Sequence, residues 1–201
     1  EQETGWESVS SYFNKSSYGN LNLDFTIAPT WFPYTKSKSY MEIDNDGRTN
    51  TAVDSAVAWY KDTYSSNCQE FDSDSNGYID CVFLVYAEMD YQVAKSSRNN
   101  FWAYTYWTQN NNRNRTSPNA NTYIWMSYDF MYDNMNGSEH IDLDAHTFIH
   151  EYGHAMGLDD YYDYGENECS AGGFDMQDMN VGDHNPFSKM ALGWSKPYVV
   201  N

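Results

Sequence analysis

The sequence predicts an α+β fold: short strands and two amphipathic helices, followed by an irregular C-terminal part. Three observations carry that expectation. Apolar residues recur at helical spacing in two segments. Short runs rich in β-branched and aromatic residues stand between them. The chain beyond Gly157 then becomes rich in Asp, Asn, Ser and Gly, as loops are.

Leu21–Ile27 reads L-N-L-D-F-T-I, an alternation of period two that predicts a half-buried strand. Asn50–Tyr64 puts Ala52, Val53, Ala56, Val57 and Tyr60 on one face, which predicts an amphipathic helix. Tyr78–Ala87 is almost continuously apolar and predicts a central strand buried on both sides. Phe101–Trp107 and Thr122–Met126 predict two more strands, joined by an Asn-rich loop or long hairpin tip. Asp142–Met156 predicts the second helix, with Gly157 as its left-handed stop. Asn185–Gly193 predicts a last short helix. No internal repeat or linker interrupts the 201 residues, so a single domain spanning 1–201 is expected.

Composition narrows the class. Tyr, Trp and Phe make up 18% of the chain, while mean hydropathy is −0.80. The expected core is therefore aromatic rather than Leu-rich, since Tyr and Trp bury an apolar body and keep a polar tip satisfied. The formal charge is −18, from 29 acidic and 11 basic residues. Nucleic acid and anionic membrane surfaces reward Lys and Arg, so neither is an expected partner. The asymmetry is sharpest in residues 133–201, where 13 carboxylates face only Lys189 and Lys196. That reads either as a solvated acidic face or as the surround of a cation site. No run of about 18 apolar residues occurs, so no membrane insertion is expected. The polar opening does not read as a signal peptide, and a mature or trimmed chain is expected.

The three cysteines form no C-x-x-C pair, so a thiolate metal site is not expected. Cys68 and Cys81 bracket a short loop whose closure by a disulfide would stabilise by about 3 kcal/mol. The alternative is three free thiols.

The chemistry concentrates in His150-Glu151-Tyr152-Gly153-His154, an H-E-x-x-H sequence. On a helix, residues i and i+4 share a face, so both imidazoles can meet one Zn²⁺. Glu151 sits beside the first ligand and can reach a metal-bound water as general base without being a ligand. The pattern extends: Gly157 follows His154 by three residues, and Asp160 follows by three more. Gly157 permits a sharp turn out of the helix. The turn brings Asp160 back as a third ligand, and a catalytic zinc keeps its fourth position for water.

From His150 to Asp163, H-E-Y-G-H-A-M-G-L-D-D-Y-Y-D resembles the immune inhibitor A family of secreted bacterial metallopeptidases, whose members read H-E-F/Y-G-H-x-x-G-L-x-D-x-Y-D. Ser17–Leu23, Phe71–Ala87 and Pro186–Trp194 also resemble family segments, so the likeness spans most of the chain. The resemblance implies a metzincin-like catalytic domain, with a twisted mixed sheet over the active-site helix and an irregular C-terminal subdomain. It implies zinc on His150, His154 and Asp160, Glu151 as base, and a secreted, monomeric endopeptidase acting on protein or peptide substrates.

The sequence departs from that family in two places. Gln177 falls where the family carries a Met beneath the metal, leaving Met176 or Met179 for that part. Asp159 replaces the usual Pro and adds a carboxylate that could exchange roles with Asp160. His184, Tyr161 and Tyr162 are candidates to stabilise the oxyanion, as donors do in related hydrolases. No segment resembles the pro-region that family members generally carry.

Two further features have a functional and a plain reading. Asp72, Asp74, Asn76 and Asp80 lie in D-x-D-x-N-G-x-x-D, which matches the first part of a calcium loop. Phe83 stands where the twelfth-position Glu of an EF-hand belongs, so a full EF-hand is excluded. What remains is a Ca²⁺-stabilised strand start or an Asx-rich turn without an ion. His146, one turn before His150, is expected to be packed or solvent-facing, and His140 has no visible role.

Overall fold

The computed structural model describes residues 7–42, 46–87, 101–132, 143–164, 169–179, 182–198 and 200. They form a mixed α+β structure with a small three-stranded mixed sheet and six α-helices. The chain divides into two compact units, Thr26–Asp129 and Glu1–Phe25 with Phe130–Asn201. Among the described residues, no helix is long and apolar enough to cross a membrane.

The Thr26–Asp129 unit holds the sheet. Its helices are α2, Lys38–Met41, and α3, Asp46–Tyr64. Helix α3 buries Ala52, Val53 and Val57 of the face expected from the sequence, with Ala56 and Tyr60 half-buried and Thr49 added to it. Strands β1 (Val82–Tyr86), β2 (Tyr104–Trp107) and β3 (Thr122–Ser127) lie in the order β1-β3-β2. β1 runs parallel to β3, with Val82 opposite Tyr123, and β2 runs antiparallel to β3, with Trp107 opposite Thr122. The Asn-rich segment between β2 and β3 is thus a long hairpin connection. Lys61 fastens it by donating to the carbonyls of Ser117 and Pro118 at 3.2 and 2.7 Å.

One strand assignment is corrected. Among the described residues β1 is an edge strand, half-buried throughout, and β3 is central, with Tyr123 to Ser127 all buried. A continuous apolar run carries no periodic signal of which strand lies inside the sheet. Aromatic packing holds the sheet: Tyr86 lies 5.2 Å from Phe101 and 4.8 Å from Trp125 between ring centroids. Tyr123 donates to Asn50 Oδ1 at 2.9 Å, tying β3 to α3. The core is Leu-poor as expected, with Leu158 the one leucine buried among the described residues, but its aromatics (Tyr12, Phe13, Phe101, Tyr123 and Trp125) share it with a larger number of Ala, Val, Ile and Met side chains.

Of the two readings left open for the cysteines, free thiols are what is found. Cys68, Cys81 and Cys169 are all free. Cys68 sits in left-handed backbone (φ 61°), and its sulfur is the partner of Ser66 Oγ at 3.8 Å. Burial raises its thiol pKa above the ordinary value.

The other unit is helical. Helix α1 (Val9–Ser16), not anticipated from the sequence, starts at Ser8, whose Oγ accepts the Ser11 N–H at 3.2 Å. It places Tyr12 and Phe13 in a core with Ile149 and Met176, packed around by Leu21, Leu23, Tyr152 and Trp194. Leu21–Ile27 is assigned no strand, so the strand expected there is not found. Its alternation reflects Leu21 and Leu23 packing on this core, while Phe25 and Ile27 are 40% and 85% exposed. Helices α4 (His146–Ala155), α5 (Met176–Met179) and α6 (Pro186–Ala191) complete the unit. Asn185 caps α6 by accepting the Phe187 and Ser188 N–H groups at 2.8 and 3.1 Å. His140 and Asp142 lie outside the described residues.

Candidate metal centre

Helix α4 carries the H-E-x-x-H sequence, and its two ends are chemically defined. It starts at His146, later than the sequence predicts, because Asp144 takes the capping part: Oδ1 accepts the His146 N–H at 2.8 Å. Asp144 Oδ2 also pairs with the His146 ring, so His146 is held at the helix start. At the other end, Gly157 adopts φ 98°. Leu158 N–H bonds to Gly153 C=O at 3.1 Å and Gly157 N–H to His154 C=O at 2.8 Å. These are the two bonds of a Schellman motif, which turns the chain sharply and sends Asp160 back along the helix.

That turn assembles three ligand-type atoms. His150 Nε2 lies 3.0 Å from His154 Nε2 and 3.0 Å from Asp160 Oδ1, and His154 Nε2 lies 3.2 Å from Asp160 Oδ1. The opposite ring nitrogens are committed. His150 Nδ1 donates to Met176 C=O at 3.0 Å, and His154 Nδ1 donates to Leu158 C=O at 2.7 Å. Carbonyls only accept, so each Nδ1 must carry a proton. In the neutral rings both Nε2 atoms then present lone pairs toward a carboxylate oxygen.

Three electron-rich atoms at mutual van der Waals distance repel one another unless a cation lies between them. Ligands of a tetrahedral zinc, bound at about 2.0–2.1 Å, sit about 3.3 Å apart, close to the separations found here. Asp160 Oδ1 is buried and receives no donor hydrogen bond, as a ligand atom facing a metal would. Carbonyl-anchored imidazoles are also how metal-binding histidines are oriented. The residues present therefore fit a zinc ion, with one position left for water.

Burial disfavours the Asp160 carboxylate, but His150, His154 and Tyr164 outweigh it and hold its pKa well below the usual range. Burial also works against charge on His154, yet Asp160, the Leu158 carbonyl and Glu151 raise its pKa overall. Glu151 is 6% exposed, and its charge is felt at both His154 and Tyr164.

The segment after the helix is fastened beneath the ligands by α5. Gln177 Nε2 donates to His150 C=O at 3.1 Å. A Cβ at residue 153 would overlap the Gln177 carboxamide, so any larger residue there would displace that side chain from its place beside α4. Asp175 is fully buried: Oδ1 accepts Gln177 N–H at 2.8 Å, and Oδ2 accepts Asn185 N–H at 2.8 Å and Ser188 Oγ–H at 2.7 Å.

Of the two candidate methionines, Met176 is buried under α4 and its carbonyl anchors His150. Met179 is 48% exposed beside Cys169, with 2.9 Å between the sulfurs. Asp159 is exposed, and Asp160 alone joins the imidazoles. Tyr162 stacks on His150, with ring centroids 6.4 Å apart. Tyr161 turns elsewhere, its hydroxyl donating at 3.1 Å to Ser188 Oγ, whose own proton goes to Asp175. His184 is 2% exposed, bonded to Tyr12 OH through Nδ1 at 3.1 Å and packed on Phe13 and Trp194, so it offers substrate no surface.

Sequence reasoning missed Tyr164, whose hydroxyl donates to Asp160 Oδ2. No periodicity or motif marks it. Gln177 was visible only as the residue standing in a methionine's place.

Asp72, Asp74 and Asp80 are brought together in the Thr26–Asp129 unit, with ligand atoms within 4.8 Å of one another. Asn76 Oδ1 instead accepts the Tyr78 N–H at 2.8 Å. Asp72 accepts the Asn76 and Gly77 N–H groups, both at 2.9 Å, and Asp80 Oδ1 accepts the Ser73 N–H at 3.1 Å. These bonds by themselves account for the turn, and the three carboxylates meet the oxygen-donor need of a hard cation.

Compared with protein-family models, with curated proteins and with solved structures, the chain matches none.

Proposed function

We propose that this chain is the catalytic domain of a secreted zinc metalloendopeptidase, akin to the immune inhibitor A peptidases and metzincin-like in fold. One observation carries the reading: His150 Nε2, His154 Nε2 and Asp160 Oδ1 converge at 3.0–3.2 Å while both Nδ1 protons are spent on carbonyls. A zinc ion bound there would supply Lewis acidity, polarising a scissile carbonyl and making water acidic enough to ionise near neutral pH.

The residues of the chain do the rest. Glu151, next to the first ligand, takes the proton of the attacking water and passes it to the leaving amine. His150 and His154 are kept from rotating by the Met176 and Leu158 carbonyls. Asp160 contributes negative charge, which moderates the charge of the site relative to three neutral imidazoles. Tyr162, stacked on His150, is the candidate donor to the oxyanion that forms as the carbonyl becomes tetrahedral. A calcium ion in the Asp72–Asp80 loop is proposed as a structural partner of the fold, not of the reaction.

The test is proteolysis of an unbiased peptide library by the zinc-loaded chain beside Glu151→Ala. Cleavage lost in the variant and with chelator, with zinc still bound by Glu151→Ala, is the expected result. Zinc binding without cleavage would overturn the peptidase reading in favour of a binding module or a hydrolase of another amide.

A further inference from the structure

The two carboxylate oxygens of Asp160 have different surroundings. Oδ1 faces the imidazoles at 3.0 and 3.2 Å. Oδ2 accepts the hydroxyl proton of Tyr164. The Tyr164 ring packs edge-on against Tyr162, 5.2 Å between centroids, and Tyr162 in turn stacks on His150. A pair of tyrosines thus runs from the first histidine to the outer oxygen of the acidic ligand. Tyr164 is 79% exposed, so little of the folded state's stability rests on its ring.

We propose that Tyr164 is a positioning residue for the metal: its hydroxyl holds Asp160 Oδ2 outward, so that Oδ1 alone enters the ligand set. The inference rests on the metal-centre reading above. A carboxylate can bind a cation through one oxygen or through both. A phenol on the outer oxygen occupies one of its lone pairs and fixes the plane of the group. Single-oxygen binding keeps the coordination number low and leaves a position open for water, as a catalytic site requires. Hydrogen-bond partners behind metal ligands typically change metal affinity about 10–100-fold. Tyr161 is the natural contrast, because its hydroxyl is paired with Ser188 and not with a ligand.

The experiment measures zinc affinity of the metal-free chain against a chromophoric chelator, for wild type, Tyr164→Phe and Tyr161→Phe. Tyr164→Phe is expected to weaken zinc binding about 10–100-fold. Tyr161→Phe is expected to leave it unchanged, and the metal-free melting temperature of Tyr164→Phe is expected to equal that of wild type. A second readout is the visible absorption of the cobalt-loaded proteins. Released from Tyr164, Asp160 is expected to bring its second oxygen onto the ion, giving the weaker bands of a higher coordination number. Equal zinc affinity and equal cobalt spectra in wild type and Tyr164→Phe would overturn the inference and leave the metal centre standing. A wild type that binds neither ion would overturn both.

Discussion

Gln177 donates to the backbone carbonyl of His150 at 3.1 Å, on the side of α4 where Gly153 has no side chain. A glycine inside a helix ordinarily costs about 1 kcal/mol relative to alanine. Here alanine would overlap the Gln177 carboxamide. Gly153→Ala is therefore expected to destabilise the chain, by about 1–3 kcal/mol as overpacking does. Combining it with Gln177→Ala is expected to recover part of the loss, because the clash then disappears. Urea unfolding of the two single variants and the double variant checks this, and a Gly153→Ala chain more stable than wild type would contradict the contact.

Zinc affinity is expected to fall as pH is lowered. A metal must displace any proton from its imidazole ligands. Burial alone would lower the His154 pKa, but Asp160, the Leu158 carbonyl and Glu151 raise it above its ordinary value. Competition from the proton therefore begins above about pH 6.5, the usual histidine midpoint. Asp160, held well below the carboxylate range, stays ionised throughout and contributes no slope there. Zinc titrations between about pH 8 and pH 5.5 check this. An affinity flat across neutrality would show that His154 carries no raised pKa.

His184 gives a separate prediction for the metal-free fold. Burial pushes its pKa down to about 4, with Lys189 and His150 adding to the effect and Asp175 and Asp183 opposing it. The folded state thus favours the neutral ring, and the unfolded chain binds more protons between about pH 4 and pH 6.5. Stability is full above that window and is lost as pH falls through it, on the order of 3 kcal/mol in all. His184→Gln, which keeps an acceptor for Tyr12, is expected to flatten that slope. Denaturant midpoints across the acid range, for wild type and variant, measure it.

In the other unit, Gly77 has φ 94° and a Cβ there would lie 2.9 Å from Asn114 N. Its N–H and C=O are both used, by Asp72 Oδ2 at 2.9 Å and Asn114 N–H at 3.0 Å. Gly77→Ala is expected to lose about 1–3 kcal/mol through backbone strain alone. The loss should be larger once the Asp72 loop and the 110–121 connection separate. Tryptophan fluorescence against urea is the measurement, and an unchanged midpoint would show that the loop does not need this conformation.

How much was readable beforehand follows from which signals are local. The cluster of His150, His154 and Asp160 was legible because i, i+4 spacing on a helix and a glycine stop are local rules, and the three do meet. Helix α3 and the β2–β3 hairpin were legible by periodicity and turn residues. The rank of the strands was not, since an apolar run carries no record of its neighbours. The Leu21–Ile27 alternation marked a dry face only at Leu21 and Leu23, which pack on a helix core in place of a sheet, while Phe25 and Ile27 are exposed. Helix α1 was missed because its Ser-rich sequence has few apolar residues to show a period. Gln177 and Tyr164 reach the site from distant or irregular sequence, and only coordinates bring them there.

Leu158 gives its N–H to Gly153 and its carbonyl to His154 Nδ1. The residue that closes the helix turn is thus also the one that orients the His154 ring. A metal bound at the proposed centre would pull on His154 and so on the helix terminus, which cannot fray without turning the imidazole away. Loading the centre should therefore slow hydrogen exchange at the Leu158 amide, far more than at amides of the same unit that only pack. For this turn, shape and occupancy are one equilibrium.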